Sequence, residues 1–182
     1  MTFFAEWLQL SKEQFRILVM LADIGTFRGS LADMCRYVFV DPQTRNRNRF
    51  RNALDELVKQ GYITSVQEGR IYNLSIVPKE KEITISAEYV ARIRRHDYHT
   101  EAVAWEIVLK VLLWLSEFAN GTEFQNSELA TGVGSSVSQC CAAKNVLERE
   151  YEAFVKEYTY HQACEGVILR KGQVVNMCAW WN

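Results

Sequence analysis

The 182-residue sequence predicts a mainly α-helical α+β chain with small β-hairpins, arranged as two successive halves. Three observations predict it. Apolar residues recur at helical spacing between recognisable caps; period-two alternation brackets a Gly-containing turn near residue 69; and the same order of elements returns, in weaker form, after residue 101.

The first helix starts at Ser11, where Ser-Lys-Glu-Gln forms a capping box with Gln14. Phe15, Leu18, Val19 and Ala22 then repeat at helical spacing, Ile17 and Leu21 widen the apolar face, and Gly25 ends the run. A shorter helix begins near Ser30 and turns Leu31, Met34, Cys35 and Val38 inward. Asp41-Pro42 punctuates the chain, because proline is tolerated at a helix start but not inside one. The third helix runs from about Gln43 to Gln60. Its inward positions are Phe50, Ala53, Leu54, Leu57 and Val58, and Gly61 stops it. Tyr62–Gln67 and Arg70–Val77 read as two strands joined by Glu68-Gly69.

Pro78–Glu82 is polar and charged, as linkers are, and Ser86 can cap a short helix through about Arg95. Thr100 can cap the next helix, Glu101–Ala119, which is apolar almost all round from Trp105 to Phe118 and needs cover on more than one side. Phe124–Ala130 then starts a short helix capped by Asn126 or Ser127, and Gly132-Val133-Gly134 makes a turn. Ser135 or Ser136 caps a longer helix that turns Val137, Cys140 or Cys141, Val146 and Leu147 inward. Phe154–Tyr160, Val167–Arg170 and Val174–Trp180 read as strands, with Lys171-Gly172 as a turn.

Composition excludes several classes. At 48% hydrophobic and 24% charged residues the chain is ordinary globular protein, neither disordered nor repetitive. Its first residues lack the regions of a secretory signal. Val103–Leu115, the most apolar stretch, contains Glu106 and Lys110 and is too short for a membrane span of about 20 residues. A cytoplasmic protein without membrane contact is expected. Cys35, Cys140, Cys141, Cys164 and Cys178 are odd in number and lack metal-ligand spacing, so reduced thiols are expected.

His96 and His99 stand at i and i+3 with no third ligand motif nearby, so no metal is expected. There is no phosphate-binding loop, dinucleotide fingerprint or nucleophile elbow, which leaves no catalytic residue and no cofactor to name.

Charge is uneven. Residues 1–77 carry ten Lys/Arg against eight Asp/Glu, residues 78–100 five against four, and residues 101–182 six against ten. A surface that faces a polyanion therefore belongs to the first half. There the third helix opens with Arg45, Asn46, Arg47, Asn48 and Arg49, followed by Arg51 and Asn52. Arginine bonds bidentately to guanine or pairs with phosphate, and asparagine bonds bidentately to adenine. With Phe50, Leu54 and Leu57 inward, Arg45, Asn48, Arg49 and Asn52 face outward and Arg47 and Arg51 lie on the flanks. One reading of such a face is that it merely keeps the domain soluble. Four arginines and three asparagines concentrated in one helix end favour DNA instead. Arg47, Asn48, Arg51 and Asn52 are expected at base edges, and Arg45, Arg49 and the turn residue Arg70 at phosphates.

Leu31–Ile63 resembles the helix-turn-helix of winged helix-turn-helix DNA-binding proteins. The closest part is Phe50-Arg51-Asn52-Ala53-Leu54-Asp55-Glu56-Leu57 with its Gly61-Tyr62-Ile63 exit. The resemblance covers roughly residues 11–77, is specific to the superfamily, and extends weakly to residues 101–182, where the exit through Glu148–Phe154 lacks the glycine. It implies tandem winged helix-turn-helix domains, 1–77 and 101–182, joined by a connector at 78–100 that includes a helix. The third helix would enter the major groove with the hairpin on the backbone.

The expected function is sequence-specific binding of double-stranded DNA, as a transcriptional regulator or a phage- or plasmid-type replication initiator. The alternative is a protein-interaction adaptor on the same scaffold. In the second half, the corresponding helix offers Ser135, Ser136, Ser138, Gln139 and Lys144, then Glu148, Glu150 and Glu152, too neutral to acidic for phosphate. That half is expected to bind a partner or a second copy. A homodimer would form through the Trp105–Phe118 helix or the C-terminal hairpin, and Trp180 and Trp181 either anchor an interface or close the core of the second domain. Arg92, Arg94 and Arg95 form a second basic cluster, on the connector.

Overall fold

Ser11 opens helix α1 (Lys12–Ile24) with a reciprocal cap: its hydroxyl accepts from the Gln14 N–H at 3.4 Å, and the Gln14 side chain accepts from the Ser11 N–H at 2.9 Å. Phe15 and the run from Ile17 to Leu21 are all buried, so α1 is the central helix of its unit. The computed structural model to which it belongs describes residues 1–96, 103–162 and 168–178. The chain divides into two units, Met1–Thr84 and Ile85–Asn182.

In the first unit, β1 (Thr2–Phe4) and a 3₁₀ turn precede α1; β2 (Thr26–Gly29), α2 (Leu31–Tyr37), α3 (Thr44–Lys59), β3 (Ile63–Glu68), β4 (Ile71–Ile76) and β5 (Glu82–Thr84) follow. Strands β2, β4 and β3 form an antiparallel sheet in that order, and β1 pairs with β5 as a separate ribbon. The segment expected as a linker thus ends in a strand that pairs Thr84 with Thr2. Ser30 caps α2, with Asp33 completing the box.

Helix α3 buries Phe50, Ala53, Leu54 and Leu57. Val58, expected inward, is 41% exposed, because it lies about 100° round the helix from the fully buried Leu57. Gly61 follows the helix at φ 70°, a conformation that costs glycine little.

In the second unit, α4 (Ala87–Arg95), α5 (Trp105–Trp114) with a π-helical turn at its end, β6 (Glu123–Phe124), α6 (Asn126–Val133), α7 (Val137–Arg149), β7 (Phe154–Gln162) and β8 (Ile168–Met177) follow one another. Strands β6, β8 and β7 form an antiparallel sheet in that order. From α5 onward both the element order and the strand order match those of α1 to β4.

Helix α5 starts at Trp105 rather than at Glu101, since Ala104 is still extended. It is buried on nearly all sides within one chain, Glu106 and Lys110 included, and Phe118 beyond it is half-exposed. Ile107 and Trp114, on the same side as Phe118, are half-buried. Gly132, expected in a turn, lies inside α6, where the Trp114 indole occupies the space a Cβ would need; Gly134 ends the helix in the left-handed region. Lys171-Gly172, also expected as a turn, sits mid-strand opposite Tyr160 and Thr159, with the Glu123 side chain packed against Gly172.

Asn126 does not cap α6. Gln125 does, its N–H donating to Glu128 at 2.6 Å. Ser136 caps α7, and Val137, expected inward, is exposed. Thr100, Cys164, Trp180 and Trp181 lie outside the described residues. Among the described residues no helix is long and apolar enough to cross a membrane.

Gly132→Ala should cost roughly 1–3 kcal/mol through overpacking against Trp114. A urea unfolding midpoint equal to that of the parent chain would contradict this packing.

Candidate nucleic-acid interface

The rotation of α3 is set by its buried stripe, and everything opposite that stripe is exposed: Arg45, Arg47, Asn48, Arg49, Arg51 and Asn52. These residues do not share one surface. Thr44, Arg47, Asn48 and Arg51 line a cavity of about 620 Å³, together with Ser30, Leu31 and Ala32 at the start of α2 and Gln67, Gly69, Arg70 and Tyr72 of the hairpin. Arg70 reaches it because β3 and β4 are joined by only Gly69 and Arg70, and Gly69, at φ 63°, supplies the positive φ a two-residue hairpin turn demands.

Three guanidiniums line this cavity and no carboxylate does. The nearby acids are engaged elsewhere. Asp33 accepts from Ser30 and pairs with Arg36 at 3.1 Å, which holds its carboxyl below the usual range, the Ser30 hydroxyl contributing most. Glu68 faces Arg28 at 3.8 Å, and Asp41 accepts from Gln43. Among the described residues the Arg47 guanidinium donates only to Thr44, at 3.2 Å. Among the described residues the side chains of Arg45, Arg51 and Arg70 have no hydrogen bond or ion pair within the chain. Gln43 provides no side-chain cap, so the first-turn N–H groups of α3 remain open to an anion.

Arg49 and Asn52 belong elsewhere. They line a smaller groove of about 300 Å³ against α1, with Ser11, Gln14 and two acids, Glu13 and Glu56. Arg49 is ion-paired with Glu13. The phosphate role expected of Arg49 and the base role expected of Asn52 therefore lack the geometry that Arg47, Asn48 and Arg51 have. Arg45 is exposed and lines neither groove. Thr44, Gln67 and Ser30 complete the cavity without belonging to the Arg/Asn cluster. Ser30 was legible only as a cap, and Gln67 only as the residue two before the turn glycine.

The second basic cluster is differently engaged. Arg92 lies over the rings of Tyr151 and Tyr89, at 5.4 and 5.7 Å, in a groove it shares with Glu88 and Glu150. Arg94 lies over Trp105. His96 is described and His99 is not; among the described residues no three His, Cys, Asp or Glu side chains are placed to hold a metal.

Helix α7 shows what the first unit has and the second lacks. Its buried positions Cys140, Ala143 and Leu147 match Phe50, Ala53 and Leu57 of α3. In that register Val137, Ser138, Cys141 and Ala142 stand where α3 has Arg47, Asn48, Arg51 and Asn52. The one basic side chain in its first turns, Lys144, is buried, and burial lowers its pKa to about 8; Lys110 in α5 is lowered to about 8 for the same reason.

No family model matches the chain, and no curated protein does. A crystal structure of a Corynebacterium diphtheriae protein is matched at 15% identity over 90% of this chain, with a TM-score of 0.26. The chain spans 26% of that structure's length, and a likeness at this score carries no argument.

The two lysines fix a pH dependence. Each has a folded pKa near 8 against 10.5 unfolded, so between these values the unfolded chain holds the extra proton and stability rises with pH. Burial raises Cys140 from 9.0 to about 11, which opposes the rise above pH 9. The unfolding free energy from urea titration should therefore increase from pH 7.5 to 9, by roughly 1 kcal/mol per lysine, raising the midpoint, and Lys144→Met should flatten the increase. A midpoint that falls over this range would contradict the assignment.

Proposed function

We propose that the chain is a sequence-specific double-stranded DNA-binding protein. In this reading it is built on two winged helix-turn-helix units, and the first makes the DNA contacts. Its role is regulation of transcription or of replication initiation. One observation carries the reading: Arg47, Arg51 and Arg70 surround a carboxylate-free cavity between the exposed face of α3 and the hairpin tip. Uncompensated guanidiniums on a surface repel one another, and the partner that relieves them is a polyanion. Asn48 beside them supplies the donor and acceptor pair that distinguishes adenine in the major groove. The matching element and strand order of α1–β4 and α5–β8 supports a tandem arrangement. The arginine-free start of α7 supports confining DNA contact to the first.

Arg47, Asn48 and Arg51 take the base edges in this reading. Arg70 and the open α3 N-terminus take phosphates, with Arg45 beyond the cavity as a further phosphate contact. Arg49 is held by Glu13 and contributes little.

Selection from random duplexes should enrich one motif with the parent chain. Arg47→Ala and Arg51→Ala should each weaken binding to that motif by about 1–3 kcal/mol and relax it at one position. Arg70→Ala should weaken all sequences alike and reduce the salt slope by about one. Arg49→Ala should change affinity by less than about threefold, since an exposed ion pair contributes little. No enrichment would overturn the reading and favour the adaptor, and a motif unchanged in the Arg47→Ala/Arg51→Ala double variant would overturn the assignment of the contacts to α3.

A further inference from the structure

The two units can be compared position by position. Phe50, Ala53, Leu54 and Leu57 of α3 and Cys140, Ala143, Lys144 and Leu147 of α7 are buried in the same register. In the sheets, Gly29 pairs with Tyr72 immediately before the cap of α2, and Phe124 pairs with Gln173 immediately before the cap of α6. The first helical residues are Leu31 and Asn126. Three buried positions of the first unit, Leu31, Leu54 and Tyr72, thus become Asn126, Lys144 and Gln173 in the second.

The three polar groups find one another. Lys144 Nζ donates to Asn126 Oδ1 at 2.5 Å and to Gln173 Oε1, and Gln173 Nε2 donates to the same Asn126 oxygen at 2.7 Å. Lys144 and Gln173 are each 5% exposed. Two of the three ammonium hydrogens go to amide oxygens, neither of them an acid, and the ammonium lies 5.6 Å from the centre of the Phe124 ring. Glu148, on the same helix, is engaged by Lys156 at 2.6 Å. A buried ammonium with neutral acceptors only is costly, and apolar residues of similar volume would serve stability better, as they do in the first unit. Stability does not account for the trio. A cavity of about 190 Å³ opens on it, lined also by Asn145, Lys156 and Tyr158. It is too small for a drug-sized molecule, and Lys144 lies too deep for a duplex phosphate.

We propose that this cavity binds a small oxyanion, a carboxylate or a phosphate. Its charged end accepts from Lys144 on the floor, and its remainder meets Lys156, Asn145 and Tyr158 at the rim. The site does not rest on the DNA reading of the first unit.

The test uses the full chain, titrated separately with inorganic phosphate and with acetate against sodium chloride at matched ionic strength. Thermal melting and backbone amide spectra are followed. Expected is a saturable shift of the amides of Asn126, Lys144, Asn145, Lys156 and Gln173. The melting temperature should rise by roughly 3–6 °C at tenfold excess over the dissociation constant. Stronger binding of phosphate assigns a phosphate ligand, and stronger binding of acetate a carboxylate. Lys144→Met should lose at least tenfold in affinity. The triple variant N126L/K144L/Q173Y, which gives the trio the residues of the first unit, should fold and lose the response. Should either fail to fold, Lys156→Met with Tyr158→Phe must lower affinity at least threefold. The proposal is overturned if neither anion exceeds chloride throughout the millimolar range, if Lys144→Met binds unchanged, or if the rim variant does.

Discussion

Helix α3 is held in one rotation by four side chains, Phe50, Ala53, Leu54 and Leu57, and the candidate interface depends on that seat. Phe50 and Leu54 are 2% exposed and Leu57 is fully buried, so each contributes about 1.5–3 kcal/mol by leaving water. A slip of one residue would turn the helix by about 100° and put Phe50 in solvent. No arrangement of exposed arginines offers a comparable gain, so the apolar stripe decides which polar groups face out. Arg47, Asn48 and Arg51 are presented because the opposite face has no other place to go.

The same rotation divides the arginines. Residues on one flank look toward the hairpin and the start of α2, where no carboxylate lines the cavity. Residues on the other look toward α1, where Glu13 holds Arg49. Two adjacent grooves on one helix therefore differ in electrostatic character: three arginines and no acid line the first, and one arginine with Glu13 and Glu56 lines the second. The hairpin adds Arg70 to the first groove only because its turn is two residues long, with glycine where φ is positive.

Much of this was legible in the sequence, and the parts that were not share physical reasons. The helices announce themselves through caps and 3.6-residue periodicity, and α1, α2 and α3 start where Ser11, Ser30 and the residue after Asp41-Pro42 suggest. The strands β1, β2, β5 and β6 have two to four residues each, too few to display alternation. Glycine misled twice. Gly132 and Gly172 mark close approach of Trp114 and Glu123, not turns, and only a neighbour distant in sequence reveals that. The division between Arg47 and Arg49 was equally hidden, since it depends on which carboxylate α1 brings alongside. Lys144 read as a surface residue because lysine usually is one; its burial appears only once α7 is aligned with α3.

The central claim is that the α3 start and the hairpin tip form one surface for duplex DNA. It is tested most directly by recording backbone amide spectra of the whole chain while a short duplex is added at low salt. The account predicts that amides of Thr44–Arg51 and Gln67–Arg70 shift first and together, and return as salt is raised. Shifts confined to α7, or to the Glu13–Arg49 groove, would contradict it, and so would a spectrum that the duplex leaves unchanged.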